Sequence, residues 1–172
     1  GIDYLYRGME VDKIAMSGKA SEKWDVTFSL LGTSQEQLLI LPAGSTFAAA
    51  TTTDFMTALD GSLDISGTEF GFCTEYTASV ANGIAQKFVV GSKNSVASVI
   101  DTITADGAVV AFFDSAAFYN RFLNDTHATM ALIATDGTSA YRLKTPDATY
   151  VSGSKQSSGT DVIVNLTYSA GY

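Results

Sequence analysis

Alternation of apolar and polar side chains is clearest in residues 10–31. In the stretch "WDVTFSLLG" one face carries Trp24, Val26, Phe28 and Leu30. The stretch before it places Ile14 and Met16 on a common side, and the polar residues 18–23 separate the two. A period of two is typical of a strand with one buried and one wet face. Residues 10–31 are therefore predicted to form an antiparallel hairpin.

Short strand-like runs separated by turn signals continue to the end of the chain. Turns are predicted at Asp60-Gly61, Asn82-Gly83, Asp106-Gly107 and Asp136-Gly137. The Asp-Gly pairs lack the alternating ligands and terminal Glu of a calcium loop, so hairpin turns explain them better. The stretch "SGSKQSSGT" before the last strand is predicted to be a flexible polar loop.

One helix is predicted, at about 115–124. Asp114 is a plausible N-cap, and Phe118 and Phe122 lie four residues apart beside Leu123, which gives a narrow apolar stripe. A helix this short is stable only when its phenylalanines pack on a sheet.

The segment 33–57 departs from the alternating pattern. It has a high apolar content for a solvated loop and no clear structure, and such connections tend to be functional. It is either an arm that packs on a neighbouring subunit or an ordinary strand of the same core. Its large apolar side chains are Leu38, Leu39, Ile40, Leu41, Phe47 and Phe55.

Composition narrows the fold class and the partners. The chain has 172 residues, 46% of them hydrophobic, with 15 Gly and 2 Pro, which favours a single, mainly β globular domain over residues 1–172. Its formal net charge is −8 and no basic tract stands out, so counterion release gives no drive toward DNA or RNA. No apolar run is long enough to cross a membrane.

The residues that carry chemistry are scarce and scattered. Cys73 is the single cysteine, which excludes an internal disulfide and a thiolate zinc cage, and His127 is the single histidine. The chain contains no nucleophile elbow, P-loop or dinucleotide motif, and its S-x-x-K match at residues 152–155 lacks the companion motifs. The sequence therefore predicts no catalytic, metal or cofactor-binding residue, no cofactor, and a binding or assembly role.

The order of features resembles a known family. "YRGMEVDKIAMS", "WDVTFSLLG", "MTALDGSLDISG", "FCTEYTASVANGIAQKFVVGS", "GAVVAFFDSAAFYNRFLND" and "MALIATDGTSAYRLKTPDATYVSG" follow one another as in the tail tube proteins of phages with long, non-contractile tails. The resemblance implies an antiparallel β-sandwich or partly open β-barrel with one short flanking helix. It also implies a structural virion protein of the phage tail and not an enzyme.

The resemblance further implies how such a subunit works. Six copies form a ring, rings assembled in the host cytoplasm stack into a tube, and DNA passes through the lumen without specific binding. Partners are other copies and other tail proteins, not a membrane. We expect Leu38, Leu39, Ile40, Leu41, Phe47 and Phe55 at the subunit interface, and part of the excess Asp and Glu in the lumen. The family pattern has a large segment before the hairpin, so the chain is a fragment lacking it or a short variant.

Two alternatives stay open at the level of sequence. A tail-terminator or other tail component built on a similar sandwich would form one ring and not a polymer. A surface adhesin or carbohydrate-binding sandwich would use exposed aromatic residues to stack on sugars. The candidates for that role are Tyr4, Tyr6, Tyr141, Tyr150 and Tyr168.

Overall fold

The computed structural model describes residues 3–40, 42–46, 48–50, 52, 54–57, 60–113, 116–158 and 161–171. Within them lie thirteen strands and one helix, with antiparallel pairing throughout and no closed barrel. The prediction of a mainly β sandwich with one short helix is confirmed. None of the described helical segments has the length and apolar character needed to cross a membrane.

The strands of the first half of the chain are β1 (Asp3–Arg7), β2 (Glu10–Lys19), β3 (Asp25–Leu31), β4 (Ser34–Leu38), β5 (Gly61–Ile65), β6 (Thr68–Glu69) and β7 (Cys73–Ala81). The remaining elements are β8 (Ile84–Lys87), β9 (Ala97–Ile100), β10 (Thr104–Phe112), α1 (Ala116–Leu123), β11 (Ala128–Thr135), β12 (Ala140–Ser158) and β13 (Asp161–Gly171).

Nine strands form one folded sheet in the order β3-β2-β7-β10-β13-β12-β11-β5-β6. The 19-residue β12 belongs to both halves of it. Its first part, up to Ala148, pairs with β11, and its second part, from Thr149, pairs with β13. The sheet therefore folds at β12 into a six-stranded layer and a four-stranded layer that enclose the core.

The predicted hairpin is present as β2 and β3, with Ser17 paired to Asp25 beside the turn. Its apolar face is only partly buried, however. Trp24 and Val26 pack against the core, whereas Phe28 and Leu30 are half exposed. The expectation of one buried face was wrong at Phe28 and Leu30, because β3 is an edge strand with β2 as its one neighbour in the described sheet.

The prediction of a turn at Asp106-Gly107 was wrong. β10 runs straight through this pair, with β7 on one side and β13 on the other. The Tyr168 phenol lies over Gly107, where a Cβ atom would collide with the Tyr168 hydroxyl and the Thr77 carbonyl oxygen. This glycine makes room for a close approach and does not form a turn.

Of the other three predicted turns, two are present and one is not. Asp136-Gly137 connects β11 to β12, with the Asp136 carboxylate accepting hydrogen bonds from the N–H groups of Thr138 and Ser139, as predicted. Asn82-Gly83 likewise connects β7 to β8. Asp60-Gly61 is not a hairpin turn, because Gly61 already belongs to β5.

The core lies between the two layers and is closed on one side by α1. Met130, Val109 and Leu166 are fully buried, and Phe118 from the helix joins them. The Phe118 ring stacks on Phe70 with 4.5 Å between centroids, so the predicted helix is held by its phenylalanines. Its predicted N-cap Asp114 lies outside the described residues, and Leu123 is exposed.

Tyr76 and Tyr168 share a hydrogen bond between their hydroxyls inside the core. Burial raises the pKa of both phenols, that of Tyr168 to about 12. Both side chains therefore stay neutral and pack in the interior of the sandwich.

Two short ribbons, β1–β4 and β8–β9, lie together at one end of the six-stranded layer. The Gln86 side chain donates to the Gly32 carbonyl over 2.6 Å, and the Ser95 N–H donates to the Thr33 carbonyl over 3.2 Å. We call this the ribbon end. The opposite end, which holds the β2–β3 turn, is the turn end.

Candidate functional site

The outward side of the six-stranded layer is lined by small polar side chains. Successive strands align in two adjacent rows, which point away from the core because their neighbours along each strand point into it. The first row is Thr27, Ala15, Ser79, Asp106, Ser169 and Thr149, and the second is Asp25, Ser17, Thr77, Ala108, Thr167 and Ser152. We call these twelve residues the polar face.

The polar face is acidic and is not flat, because eight of its residues line a shallow depression together with Lys13. None of its twelve side chains is larger than aspartate or threonine, and it carries two carboxylates and no Lys or Arg. The Ser169 hydroxyl donates to Asp106 over 2.6 Å, and the Ser152 and Thr167 hydroxyls lie 2.6 Å apart. These contacts hold the hydroxyls close to the sheet, so nothing on the polar face projects far into solvent.

The prediction of a loop at "SGSKQSSGT" was wrong, and part of this stretch contributes to the polar face. Residues 152–158 continue β12, and the Ser154 and Asn165 positions pair across to β13. The alternation of small side chains at Ser152 and Ser154 was the sequence feature that could have predicted this strand. Strand propensity is low for such residues, and pairing with β13 outweighs it.

Both edges of the six-stranded layer are free in the described part of the chain. β3 pairs only with β2, and the second part of β12 pairs only with β13. An unpaired edge presents backbone N–H and C=O groups to another strand. The polar face therefore extends from one open edge to the other.

The segment predicted to be a long loop or arm at about 33–57 begins with a strand. Ser34–Leu38 is β4, paired with β1, and half-buried Leu38 ends it. We call residues 39–57 the arm. It returns at the turn end, where the Met56 carbonyl accepts a hydrogen bond from the Trp24 N–H over 3.1 Å.

The arm exposes three of the six side chains predicted to form an interface. Leu39 is 93% and Ile40 86% exposed. Phe55 is 71% exposed, with the Lys23 ammonium 3.8 Å from its ring centroid. Leu41 and Phe47 lie outside the described residues. The structure thus keeps Leu39, Ile40 and Phe55 out of the subunit's own core.

No group of His, Cys, Asp and Glu among the described residues could hold a metal ion. His127 stands on the surface, where its Nδ1 atom donates to the Asp147 carboxylate over 2.8 Å and its Nε2 atom lies 3.5 Å from the Thr149 hydroxyl. Of the tyrosines considered for sugar stacking, Tyr150 and Tyr168 are buried, whereas Tyr4, Tyr6 and Tyr141 are about half exposed. The five do not form one aromatic platform.

Cys73 is a partly buried thiol at the start of β7. Burial raises its pKa to about 11 from an ordinary value of 9.0, because the thiolate is poorly solvated there. A thiol of this kind is a weak nucleophile at neutral pH.

This shift predicts slow alkylation. At pH 8 iodoacetamide should modify Cys73 about a hundredfold more slowly in the folded protein than in urea, because two pKa units reduce the thiolate fraction about a hundredfold. Mass spectrometry over a time course measures both rates. Equal rates would show that the thiol is not buried as described.

A scan against protein-family models matches residues 1–170 to the phage tail tube protein family. The chain belongs to the phage tail tube protein family. No curated protein matches the sequence significantly. This tail tube protein is therefore a structural protein of the virion tail, with further copies and other tail proteins as its partners. The resemblance seen in the sequence is confirmed.

Proposed function

We propose that copies of this tail tube protein join edge to edge into closed rings, and that stacked rings form the conduit through which DNA leaves the capsid. In this arrangement the polar face lines the lumen. The observation that carries the proposal is the pair of rows that cross all six strands with only Ser, Thr, Ala and Asp.

A surface of this composition suits DNA that slides. Lys and Arg bind phosphate groups, and aromatic rings stack on the bases of single strands. The polar face contains neither basic nor aromatic residues. Asp25 and Asp106 repel the phosphates instead. Its short hydroxyl side chains keep the lumen wall hydrated and do not project into the path of the DNA.

The sheet edges support ring closure. Successive strands of the six-stranded layer are antiparallel, so the even number leaves β3 and the second part of β12 running in opposite directions. Joining β3 of one copy to β12 of the next therefore continues the antiparallel pattern. Such head-to-tail contacts between unlike surfaces form rings when the rotation closes, six copies in the family pattern.

The arm is the part of the subunit that we assign to contacts between rings. It starts from the β1–β4 ribbon and returns at the turn end, so it spans the length of β3. Its exposed apolar side chains gain burial only against another molecule. Leu38, Leu41 and Phe47 belong to this interface in the same proposal.

Electron microscopy of the purified protein over a concentration series tests the assembly. We expect rings and tubes with a central hole. Single rings that never stack would favour a tail terminator. Dispersed monomers at every concentration would contradict assembly by this chain on its own.

Neutralising the polar face tests its place in the lumen. Phage carrying Asp25→Asn and Asp106→Asn should assemble normal tails but eject DNA severalfold more slowly, because the wall repels phosphate less. The matched control is Asp3→Asn with Asp101→Asn, which changes the charge equally at exposed acids outside the nine-stranded sheet. Ejection is followed by dye uptake of the released DNA, and equal rates in the two doubles would contradict a lumen position.

A further inference from the structure

The open edge of β3 carries two apolar side chains that its own copy does not cover. Phe28 and Leu30 point to the core side of the sheet, where they are 53% and 50% exposed. Trp24 and Val26, on the same side of the chain, pack against the core. The edge therefore presents main-chain hydrogen-bonding groups and an apolar surface together, and both suit a partner that adds a strand.

The opposite open edge, residues 152–158 of β12, carries aromatic rings on the core side. The Lys155 ammonium lies 4.2 Å from the ring centroid of Phe113 and 4.1 Å from that of Tyr119. Phe122 packs directly over Gly153, with a ring carbon 2.7 Å from where a Cβ atom would stand. We call Lys155 and these three rings the aromatic cluster.

Both edges direct main-chain groups outward at residues whose side chains point to the core side. Along a strand, the N–H and C=O groups of successive residues point to one neighbour and then to the other. The Phe113 N–H donates to the Val162 carbonyl, which sets this alternation for the sheet. Followed through the register, it turns the main-chain groups of Phe28 and Lys155 toward the two open edges. Joining the edges by hydrogen bonds therefore continues the core side and the polar face into the next copy.

The ends of the two edge strands favour one register. At the turn end the arm takes the N–H of Trp24, so β3 is open over its seven residues from Asp25 to Leu31. The edge of β12 offers the same length in residues 152–158. Full antiparallel pairing places Ser152 opposite Leu31. A slip by two residues, the smallest that keeps the faces, either meets the arm or leaves main-chain groups without partners.

The curvature of a closed sheet gives the same register. Within one copy Ser152 lies level with Asp25, in the second row of the polar face. Strands in barrels tilt by about 35–45°, and a tilt near 36° corresponds to a stagger of about one residue per strand. Six strands therefore shift the next copy by about six residues. The right-handed coil of the strands sets the direction of this shift, from Asp25 toward Leu31.

We propose that β3 of one copy pairs with residues 152–158 of the next copy in this register, with Phe28 and Leu30 packed on the aromatic cluster of that copy. The inference rests on the proposed joining of copies into rings and names the residues that form the joint. Phe28 stands opposite Lys155 and adds a third ring to its cation–π contacts. Leu30 stands opposite Gly153, beside the Phe122 ring. The joint thus buries the side chains that an isolated copy leaves exposed.

Engineered disulfides test the register. Ser29 and Ser154 oppose each other in it, on the polar face, as a pair without mutual hydrogen bonds, whose side chains are close. In a Cys73→Ala background, Ser29→Cys with Ser154→Cys should form covalent oligomers under mild oxidation. The matched controls combine Ser29→Cys with Ser152→Cys or with Gln156→Cys, which are displaced by two residues on the same face and lie too far away to bridge. Non-reducing gel electrophoresis should show about tenfold more cross-linking in the first pair.

The outcomes separate the joint from the function. Strongest cross-linking in a control pair would overturn the register while leaving edge-to-edge joining intact. No cross-linking in any pair, from protein that forms rings in electron micrographs, would overturn the joint while leaving the tube function intact. Absence of both rings and cross-links would count against the proposed function itself, and with it against the joint.

Phe28→Ala with Leu30→Ala tests the packing on the aromatic cluster. The double variant should stay folded by circular dichroism but need about tenfold more protein to form rings, because the joint loses two buried side chains. The matched control is Tyr4→Ala with Tyr6→Ala, which truncates two half-exposed side chains on β1, outside the nine-stranded sheet. Equal ring formation by the two double variants would overturn the packing.

Discussion

Replacing Leu39 and Ile40 together with aspartate should stop polymerisation while each copy remains folded. Both side chains are almost fully exposed in the isolated subunit, so the core does not depend on them. Burying one such side chain at an interface contributes about 1.5–3 kcal/mol, and two per copy are lost from every contact. That loss corresponds to a decrease in contact affinity of more than about a hundredfold.

The matched control for this double variant is Gln35→Asp with Gln37→Asp. Both glutamines are exposed on β4, directly before the arm, and the change adds the same two charges. Sedimentation and electron microscopy measure assembly, and circular dichroism with a thermal melt measures the fold. If the Leu39/Ile40 variant unfolded, these residues would be core, and if it formed normal tubes, the arm would not join rings.

Leu166→Ala should give the largest loss of stability, about 2–5 kcal/mol in the free energy of unfolding. Leu166 is fully buried in β13. Its Cδ2 atom, like the ring of Phe122, would lie 2.7 Å from a Cβ atom at Gly153, so the side chain fills the space beneath the helix. Truncation leaves a cavity where sheet and helix meet.

Urea denaturation measures the effect. The control is Leu39→Ala, which removes the same atoms from a 93% exposed position and should change stability by less than about 0.5 kcal/mol. Similar losses for the two variants would mean that Leu166 does not occupy the core. A retained m-value would confirm that the change acts on the folded state.

Much of the local structure was predictable where short-range signals agree. Residues 10–31 alternate clearly, and β2 and β3 form there. Asp136-Gly137 lies between two strongly apolar runs, and it forms the turn. Phe118 and Phe122 have helical spacing, and α1 packs Phe118 into the core. Each of these features depends on residues close together in the chain.

Predictions were wrong where a distant partner decides the conformation. Gly107 is a turn residue by its sequence neighbours, but Tyr168, 61 positions later in the numbering, requires a glycine within a straight strand. The serine-rich stretch after Val151 has the composition of a loop, but β13 pairs with it. Phe28 and Leu30 alternate as core residues do, but β3 is an edge strand with β2 as its one neighbour in the described sheet.

The sequence by itself determined the mainly β class, the order of elements that resembles tail tube proteins, and the lack of catalytic motifs. Those properties follow from composition and from spacing along the chain. Only the tertiary structure decided which hydroxyls and carboxylates share the polar face, because strand register aligns residues from six separate segments. It alone also placed the free edges, since these depend on which strands end without a neighbour.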